Sequence, residues 1–157
     1  MTTNDIKLAI FNSITLGVSF THVENGLKVK MTKNFKIHEF ACKCGCDMPD
    51  EVYSRVIKLA VELQKLRDIF DVPFTPTSAY RCPDHNRRIG GVRNSQHILG
   101  LAADLQIPGV EPEEVAGMIE SLMGSGDILM GGVGRYNTFT HMDIRGRRAR
   151  WNKTSDI

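Results

Sequence analysis

The sequence lacks any apolar run long enough to cross a bilayer. Its longest candidate, from Leu8 to Phe20, is interrupted by Asn12, Ser13 and Thr15, whereas a membrane-spanning helix needs about 20 mostly apolar residues. The first five residues also lack the basic region of a secretory signal. We therefore expect no membrane anchor, and we expect the protein to be made in the cytoplasm.

The chain also has little net charge and no internal repetition. Lys and Arg total 20 against 18 Asp and Glu, so the formal charge is only +2, which gives no overall field for binding nucleic acid. No repeat, low-complexity tract or interdomain linker interrupts the 157 residues, a length typical of one domain. We expect a monomer in which residues 1–34 form an N-terminal extension packed on a single globular domain of residues 35–157.

The four cysteines lack the two separated Cys-x-x-Cys pairs of a common zinc site. Three of them lie between Cys42 and Cys46, and Cys82 stands alone. No histidine motif accompanies them, so a catalytic thiol is not expected. Reduced, buried thiols are the expected state, while a second structural metal and a disulfide in an oxidising compartment both stay open.

Periodic apolar residues predict two amphipathic helices. The first runs from Asp50 to Phe70, with Asp50 as its N-cap and Pro73 beyond its end. The second covers residues 111–123 and is ended by Gly124-Ser-Gly126. A single helical turn is expected at residues 84–89. The apolar stripe of the first helix consists of Val52, Val56, Leu59, Leu63, Leu66 and Ile69.

Three segments have the composition of strands. Residues 101–107 and 139–144 are short and largely apolar, and residues 72–78 resemble an edge strand that carries two prolines. Residues 1–30 are ambiguous, because a helix at 5–15 and a hairpin around Glu24-Asn-Gly26 both suit their pattern.

Two separated segments supply a set of zinc ligands. His97 and Asp104 flank a turn at Gly100, and His141 lies far downstream in the strand at 139–144. Two imidazoles and a carboxylate leave one position of a tetrahedral zinc open for water, as catalytic zinc sites do. The alternative is that both histidines lie at the surface or form ordinary hydrogen bonds in the core, and that Asp104 caps a turn. The combination of spacing and small residues favours the metal site.

Further motifs surround these ligands along residues 35 to 151. In order they are Ser78-Ala-Tyr-Arg-Cys-Pro-Asp-His-Asn86, Gly90-Gly91, Ser95-x-His97 with Gly100 and Asp104, and Gly134-x-Tyr136 to His141-x-Asp143-x-Arg145-Gly146 and Trp151. Together these motifs resemble the zinc D-Ala-D-Ala carboxypeptidase family. That family includes peptidoglycan carboxypeptidases, murein endopeptidases and phage endolysins, and the chain resembles its short phage type.

The resemblance implies both a fold and an activity. The fold would be α+β, a small antiparallel sheet with flanking helices, in the zinc-binding arrangement shared with the Hedgehog signalling domain. The activity would be hydrolysis of peptide bonds in peptidoglycan stem peptides with one catalytic Zn²⁺ held by His97, Asp104 and His141. A protein without a secretion signal would reach the wall after release from the cell or by delivery on a phage particle.

Asp143 is the candidate general base for this chemistry. It lies two residues from His141 on the same strand face, and zinc-assisted hydrolysis needs a group that takes the proton of water. Orientation of a histidine is the alternative role. Many family members place an acid three residues before the last histidine, where this chain has Thr138. Other members carry His-x-His, an arrangement in which Asp143 would be the ligand and His141 the helper.

Arg81 matches the family arginine that binds substrate or stabilises the developing oxyanion, a task suited to a two-donor guanidinium. The alternative is a structural salt bridge with the nearby Asp84. Further on, four arginines lie close together near the C-terminus and are expected to form a solvated edge with packed stems, although they could also contact an anionic wall polymer. They are Arg145, Arg147, Arg148 and Arg150.

Two other classes of function stay open. The absence of an acid at Thr138 allows a zinc-retaining, catalytically silent wall-binding module. A structural phage protein is the other class, with a metal held by the four cysteines and with incidental histidines.

Overall fold

The computed structural model describes residues 30–155. A 3-10 turn, Ile37–Phe40, leads into the long helix α1, Asp50–Phe70, and a short helix α2, Pro83–Arg88, follows. Strand β1, Ala102–Leu105, precedes helix α3, Pro112–Ser125. Strands β2, Gly132–Arg135, β3, Thr140–Asp143, and β4, Ala149–Asn152, complete the order. Within the described residues, no helix combines the length and apolarity that a membrane crossing requires.

The fold is α+β as expected, but its sheet is mixed. The strand order is β1-β3-β2-β4. Strand β3 pairs antiparallel with both β1 and β2, whereas β4 pairs parallel with β2. The expectation of a purely antiparallel sheet was therefore wrong at β4. The chain reverses after β3 and then pairs on the far side of β2, which places β4 in the same direction as β2.

The two predicted amphipathic helices are confirmed. Helix α1 has the predicted bounds, but Pro49 rather than Asp50 is its N-cap, because the Pro49 carbonyl accepts the Val52 N–H at 2.9 Å. Of its predicted apolar stripe only Ile69 is exposed. The second helix, α3, extends to Ser125, two residues beyond the predicted end at residue 123, and its C-cap is Gly126, whose φ of 80° is left-handed.

The predicted strand at residues 72–78 was wrong. Only Ser78 forms a bridge, to Asp104. Pro73 and Pro76 have no N–H to donate, so the segment cannot build a ladder of hydrogen bonds.

The core lies between α1, the sheet and the aromatic cluster before α1. Phe35 contacts Phe40 and Phe74 edge-on, with ring centroids 5.8 and 5.7 Å apart. Met31 is fully buried in the same core, whereas Lys33 and Asn34 are exposed. The expected helix at 5–15 and nearly all of the hairpin after it lie outside the described residues.

Helix α3 is attached to the sheet by Glu120. Its carboxylate accepts from Arg135 Nη2 at 2.7 Å and from Arg150 Nε at 2.6 Å, which joins α3 to β2 and β4. The C-terminal arginines therefore do not form a uniform solvated edge. Arg147 and Arg148 are exposed as expected, whereas Arg150 is half-buried in this network.

Glu120→Gln is expected to lower the free energy of unfolding by about 1–2 kcal/mol, because it removes charge-assisted hydrogen bonds to two arginines. Chemical denaturation at neutral pH measures the change. Glu113→Gln is the matched control: Glu113 also contacts Arg135, but its side chain is 71% exposed, so its loss should cost less than about 1 kcal/mol.

The same pair of variants, denatured at several pH values, tests whether the stabilisation by Glu120 depends on the charge of its carboxylate. Arg135 holds the pKa of Glu120 below its ordinary value, so the stabilisation is present at neutral pH and is lost as the pH falls through this lowered pKa. Equal effects of the two substitutions at neutral pH would show that Glu120 does not anchor α3.

Candidate metal centre

The register of β1 and β3 brings two of the predicted ligands together. Asp104 lies directly opposite His141 in this antiparallel pair. His97 approaches from the turn before β1, where Gly100 has the left-handed φ of 73° expected for the position. A Cβ on Gly100 would lie 2.5 Å from Val52 Cγ1, so the turn that follows His97 packs closely against α1.

The three predicted ligands converge on one point. His97 Nε2 lies 3.2 Å from Asp104 Oδ1, and His141 Nδ1 lies 3.1 Å from the same oxygen. All three residues are buried. Ligand atoms about 2.0–2.1 Å from a tetrahedral zinc lie roughly 3.3–3.4 Å from one another. The spacing of these donors therefore fits a single zinc ion.

The hydrogen bonds of both imidazoles leave the inward nitrogens free to bind a metal. His97 Nδ1 lies 2.7 Å from the Ala79 carbonyl oxygen, and His141 Nε2 lies 3.0 Å from Asp143 Oδ2. Both oxygens are acceptors, so these nitrogens carry the hydrogens. The lone pairs of His97 Nε2 and His141 Nδ1 then face Asp104 Oδ1, and three acceptor atoms that face each other require a cation or a proton between them.

The pKa values of the three converging side chains are shifted by burial and by their contacts with one another. Burial lowers the pKa of His97 and keeps its ring neutral. Burial alone would raise the pKa of Asp104. When a proton takes the place of a metal ion, however, His141 and His97 can donate hydrogen bonds to this carboxylate, and these outweigh burial and hold its pKa well below the ordinary value. For His141, burial is outweighed by the carboxylates of Asp104 and Asp143, which raise its pKa. The site therefore attracts positive charge to its centre.

Asp143 lies behind His141 and not beside the converging atoms. Its carboxylate is fully buried. Oδ1 accepts from the Gly132 N–H at 2.9 Å and Arg145 Nε at 2.8 Å, and Oδ2 accepts from Arg145 Nη2 at 2.6 Å and His141 Nε2 at 3.0 Å. Both oxygens are occupied, so this geometry favours the orienting role over the role of base and over direct ligation.

Arg81 is engaged with the metal centre itself. Its Nη2 donates to Asp104 Oδ2 at 2.9 Å and its Nε donates to Ser78 Oγ at 3.0 Å. The alternative pairing with Asp84 was wrong, because Asp84 accepts from Arg87 at 2.7 Å. Arg81 thus holds the carboxylate ligand from the side opposite the two histidines.

The metal centre lies in the wall of a cavity of about 470 Å³. Among the described residues that line it, Asp104 is the sole carboxylate, whereas Arg81, Arg145 and Lys153 are basic. Thr138, at the position where many relatives carry an acid, is exposed and does not belong to this lining. The cavity therefore favours an anionic ligand.

Aromatic side chains form another wall of this cavity. Tyr136 stacks on Phe139 with centroids 4.2 Å apart, and Trp151 lies 4.9 Å from the His141 ring and donates to the Tyr136 hydroxyl at 3.0 Å. Trp151 pairs with Gly134 across β4 and β2, where a Cβ on the glycine would lie 2.3 Å from Trp151 Nε1. Gly134 therefore leaves the space that the indole occupies.

Several groups that hold the ligands or line the cavity were not predicted from the sequence. The Ala79 carbonyl and the Gly132 N–H are backbone groups, which carry no residue-type signal. Phe139 and Lys153 had no motif of their own. Arg145 did offer a signal, since alternation along the chain from His141 places it on the side of Asp143.

His97→Ala is expected to remove one equivalent of zinc from the purified protein, because two ligands rarely retain the ion against a chelator. Elemental analysis after dialysis measures the loss. His38→Ala, which changes an exposed histidine, is the control and should keep the full zinc content. Unchanged zinc in His97→Ala would remove His97 from the ligand set.

Asp143→Asn is expected to weaken zinc binding by about 10–100-fold, the usual effect of removing the partner of a metal-binding histidine. Competition with a chromophoric chelator measures the affinity. Asp84→Asn breaks an exposed Asp–Arg pair and should leave the affinity unchanged. A loss of activity with wild-type zinc affinity in Asp143→Asn would instead support Asp143 as the base.

Comparison with known proteins agrees with the geometry. A family model described as Peptidase M15 matches residues 31–143, which include all three converging ligands and Asp143. No curated protein matches the chain. Peptidases of this family are zinc-dependent, in accord with the donor set of His97, Asp104 and His141. Because the match covers more than half of the chain, the chain belongs to the M15 peptidase family.

Proposed function

We propose that the protein is a zinc peptidase that hydrolyses peptide bonds in the stem peptides of bacterial peptidoglycan, as a D-Ala-D-Ala carboxypeptidase or murein endopeptidase of phage type. The observation that carries the proposal is the convergence of His97, Asp104 and His141 in the wall of a basic cavity. The α+β arrangement further supports the zinc-binding fold shared with the Hedgehog signalling domain.

His97, Asp104 and His141 would hold one Zn²⁺. The chemistry that this ion would supply is a pKa of water lowered toward about 7 and polarisation of a peptide carbonyl. The chain's contribution is rigidity. Ala79 fixes the ring of His97, Arg81 fixes Asp104, and Asp143 fixes His141, so the ligands need little rearrangement on binding.

In this proposal Asp143 is a positioning residue, and its role as proton acceptor is set aside. Its oxygens are shared between Arg145, Gly132 and His141, and it is fully buried. Arg81 donates one hydrogen bond to Asp104, and its side chain also lines the cavity. The guanidinium can therefore contact a substrate oxygen next to the carboxylate ligand that it holds.

The charge of the cavity supports a substrate with free carboxylates, such as a stem peptide. Lys153 is exposed at its rim, Arg145 lies over the Trp151 ring at 5.7 Å, and Asp104 is already paired with Arg81. Tyr136 and Phe139 offer an apolar face for the small aliphatic side chains of such a peptide. In this proposal the protein acts as a monomer, after release from the cell or on a phage particle.

One observation favours a second candidate, a zinc-retaining module that binds the wall without turnover. Among the described residues that line the cavity, no carboxylate is free to accept a proton from water, because Asp104 is engaged by Arg81 and both histidines. Proton transfer by a positioned group contributes typically 10²–10⁴-fold to such reactions.

Mass spectrometry of products from defined muropeptides separates the two candidates. The zinc-loaded enzyme is expected to release D-Ala or a cleaved stem peptide, chelation should abolish the release, and added zinc should restore it. His38→Ala should behave as wild type, and His97→Ala should be inactive. If zinc-loaded protein sediments with purified walls but yields no product, the peptidase proposal fails and the binding module replaces it.

A further inference from the structure

A second group of metal-binding side chains lies outside the cavity. The Sγ atoms of the four cysteines all lie within 4.8 Å of one another, in a part of the molecule that the zinc peptidase site does not use. The thiols are free, as expected, but the expectation that they are buried was wrong. Only Cys42 is buried, Cys46 and Cys82 are half-buried, and Cys44 is exposed.

The sulfurs surround a common point. Cys44 Sγ lies 3.3 Å from Cys42 Sγ and 3.6 Å from Cys82 Sγ. In a tetrahedral zinc site with Zn–S bonds of about 2.3 Å, the sulfurs lie roughly 3.8 Å from one another. The observed separations are close to that value, so a small contraction or expansion of the cluster suffices to accept an ion.

Disulfide formation explains this arrangement less well. A disulfide joins sulfurs about 2.05 Å apart in exclusive pairs, whereas Cys44 has two sulfur neighbours at 3.3 and 3.6 Å. Cys44 is also exposed, so the burial of apolar surface does not account for its position among the other thiols. Sulfurs that bind one central ion must all lie close to one another, and Cys44 meets this requirement with two neighbours.

The backbone around the cluster is arranged for thiolates. The Cys82 N–H donates to Cys42 Sγ and the His85 N–H donates to Cys82 Sγ, both at 3.3 Å. The Gly45 N–H closes the loop onto the Cys42 carbonyl at 3.0 Å. Backbone N–H groups that point at sulfur stabilise negative charge there, as in thiolate metal sites.

We propose that Cys42, Cys44, Cys46 and Cys82 bind a structural zinc ion in a tetrahedral four-thiolate site. This ion would tie the loop after the 3-10 turn to the segment before α2. That segment carries the Ala79 carbonyl that orients His97 and the Arg81 guanidinium that holds Asp104. The Tyr80 N–H already joins the two segments through the Phe40 carbonyl at 3.1 Å. The second ion would stabilise the support of the peptidase site without contacting substrate.

Metal counting on the full chain, purified under reducing conditions, tests the site independently of activity. We expect about two zinc ions per wild-type chain and about one for His97→Ala. The double variant Cys44→Ser with Cys46→Ser should also hold about one, bound by the histidine site. Ala41→Ser, a neighbouring exposed position, is the matched control and should keep both. One zinc in wild type and none in His97→Ala would overturn the proposal without affecting the proposed function.

Cobalt substitution covers the case in which the cysteine variants fail to fold. Cobalt-loaded His97→Ala retains all four thiols and should show intense thiolate-to-cobalt charge-transfer absorption with tetrahedral ligand-field bands. The exposed Cys44 should resist a thiol reagent in the zinc-loaded protein and react after chelation. Absence of charge transfer, a free reactive Cys44 in zinc-loaded protein, or a mass decrease that shows disulfides would each contradict the site. Iron in place of zinc would overturn the assigned ion.

Discussion

The antiparallel pairing of Asp104 with His141 is the constraint on which the rest of the site depends. Side chains alternate along a strand, so a slip of one residue between β1 and β3 would move a ligand to the other face. The backbone of Asp104 is also held on its other side, where its N–H donates to the Ser78 carbonyl at 2.8 Å and its carbonyl accepts from Thr77 at 2.9 Å. One residue thus joins the sheet to the segment before α2.

That segment organises the remaining polar groups. Within a few residues it supplies the Ser78 hydroxyl that fixes Arg81, the Ala79 carbonyl that fixes His97, and the thiol of Cys82. It has almost no regular secondary structure of its own, since Ser78 forms only an isolated bridge to Asp104. Its conformation therefore depends on contacts with β1, with the turn at His97 and with the loop of three cysteines. The metal centre and the cysteine cluster are connected by this short stretch of chain.

Much of this could be predicted from local pattern. Apolar spacing gave the bounds of α1, and residue type and spacing gave the ligands His97, Asp104 and His141, which the structure brings together. The role of Asp143 could not be decided, because two-residue periodicity places it beside His141 but does not show that Arg145 and Gly132 occupy its oxygens. The parallel pairing of β4 was missed because it depends on the path of the chain around β2. The metal role of the four thiols was left open, because Cys82 approaches the other three cysteines only through tertiary contacts.

Each buried carboxylate around the histidines is matched with its own arginine, Asp104 with Arg81 and Asp143 with Arg145. Each pair has no net charge, and the rings of His97 and His141 are neutral when they bind a metal. The Asp104 carboxylate would attract a divalent ion to this point, but Arg81 would offset part of the negative charge of that ligand. The ion would therefore keep more of its positive charge than it would beside an unpaired carboxylate, and it would polarise a substrate oxygen in the cavity more strongly.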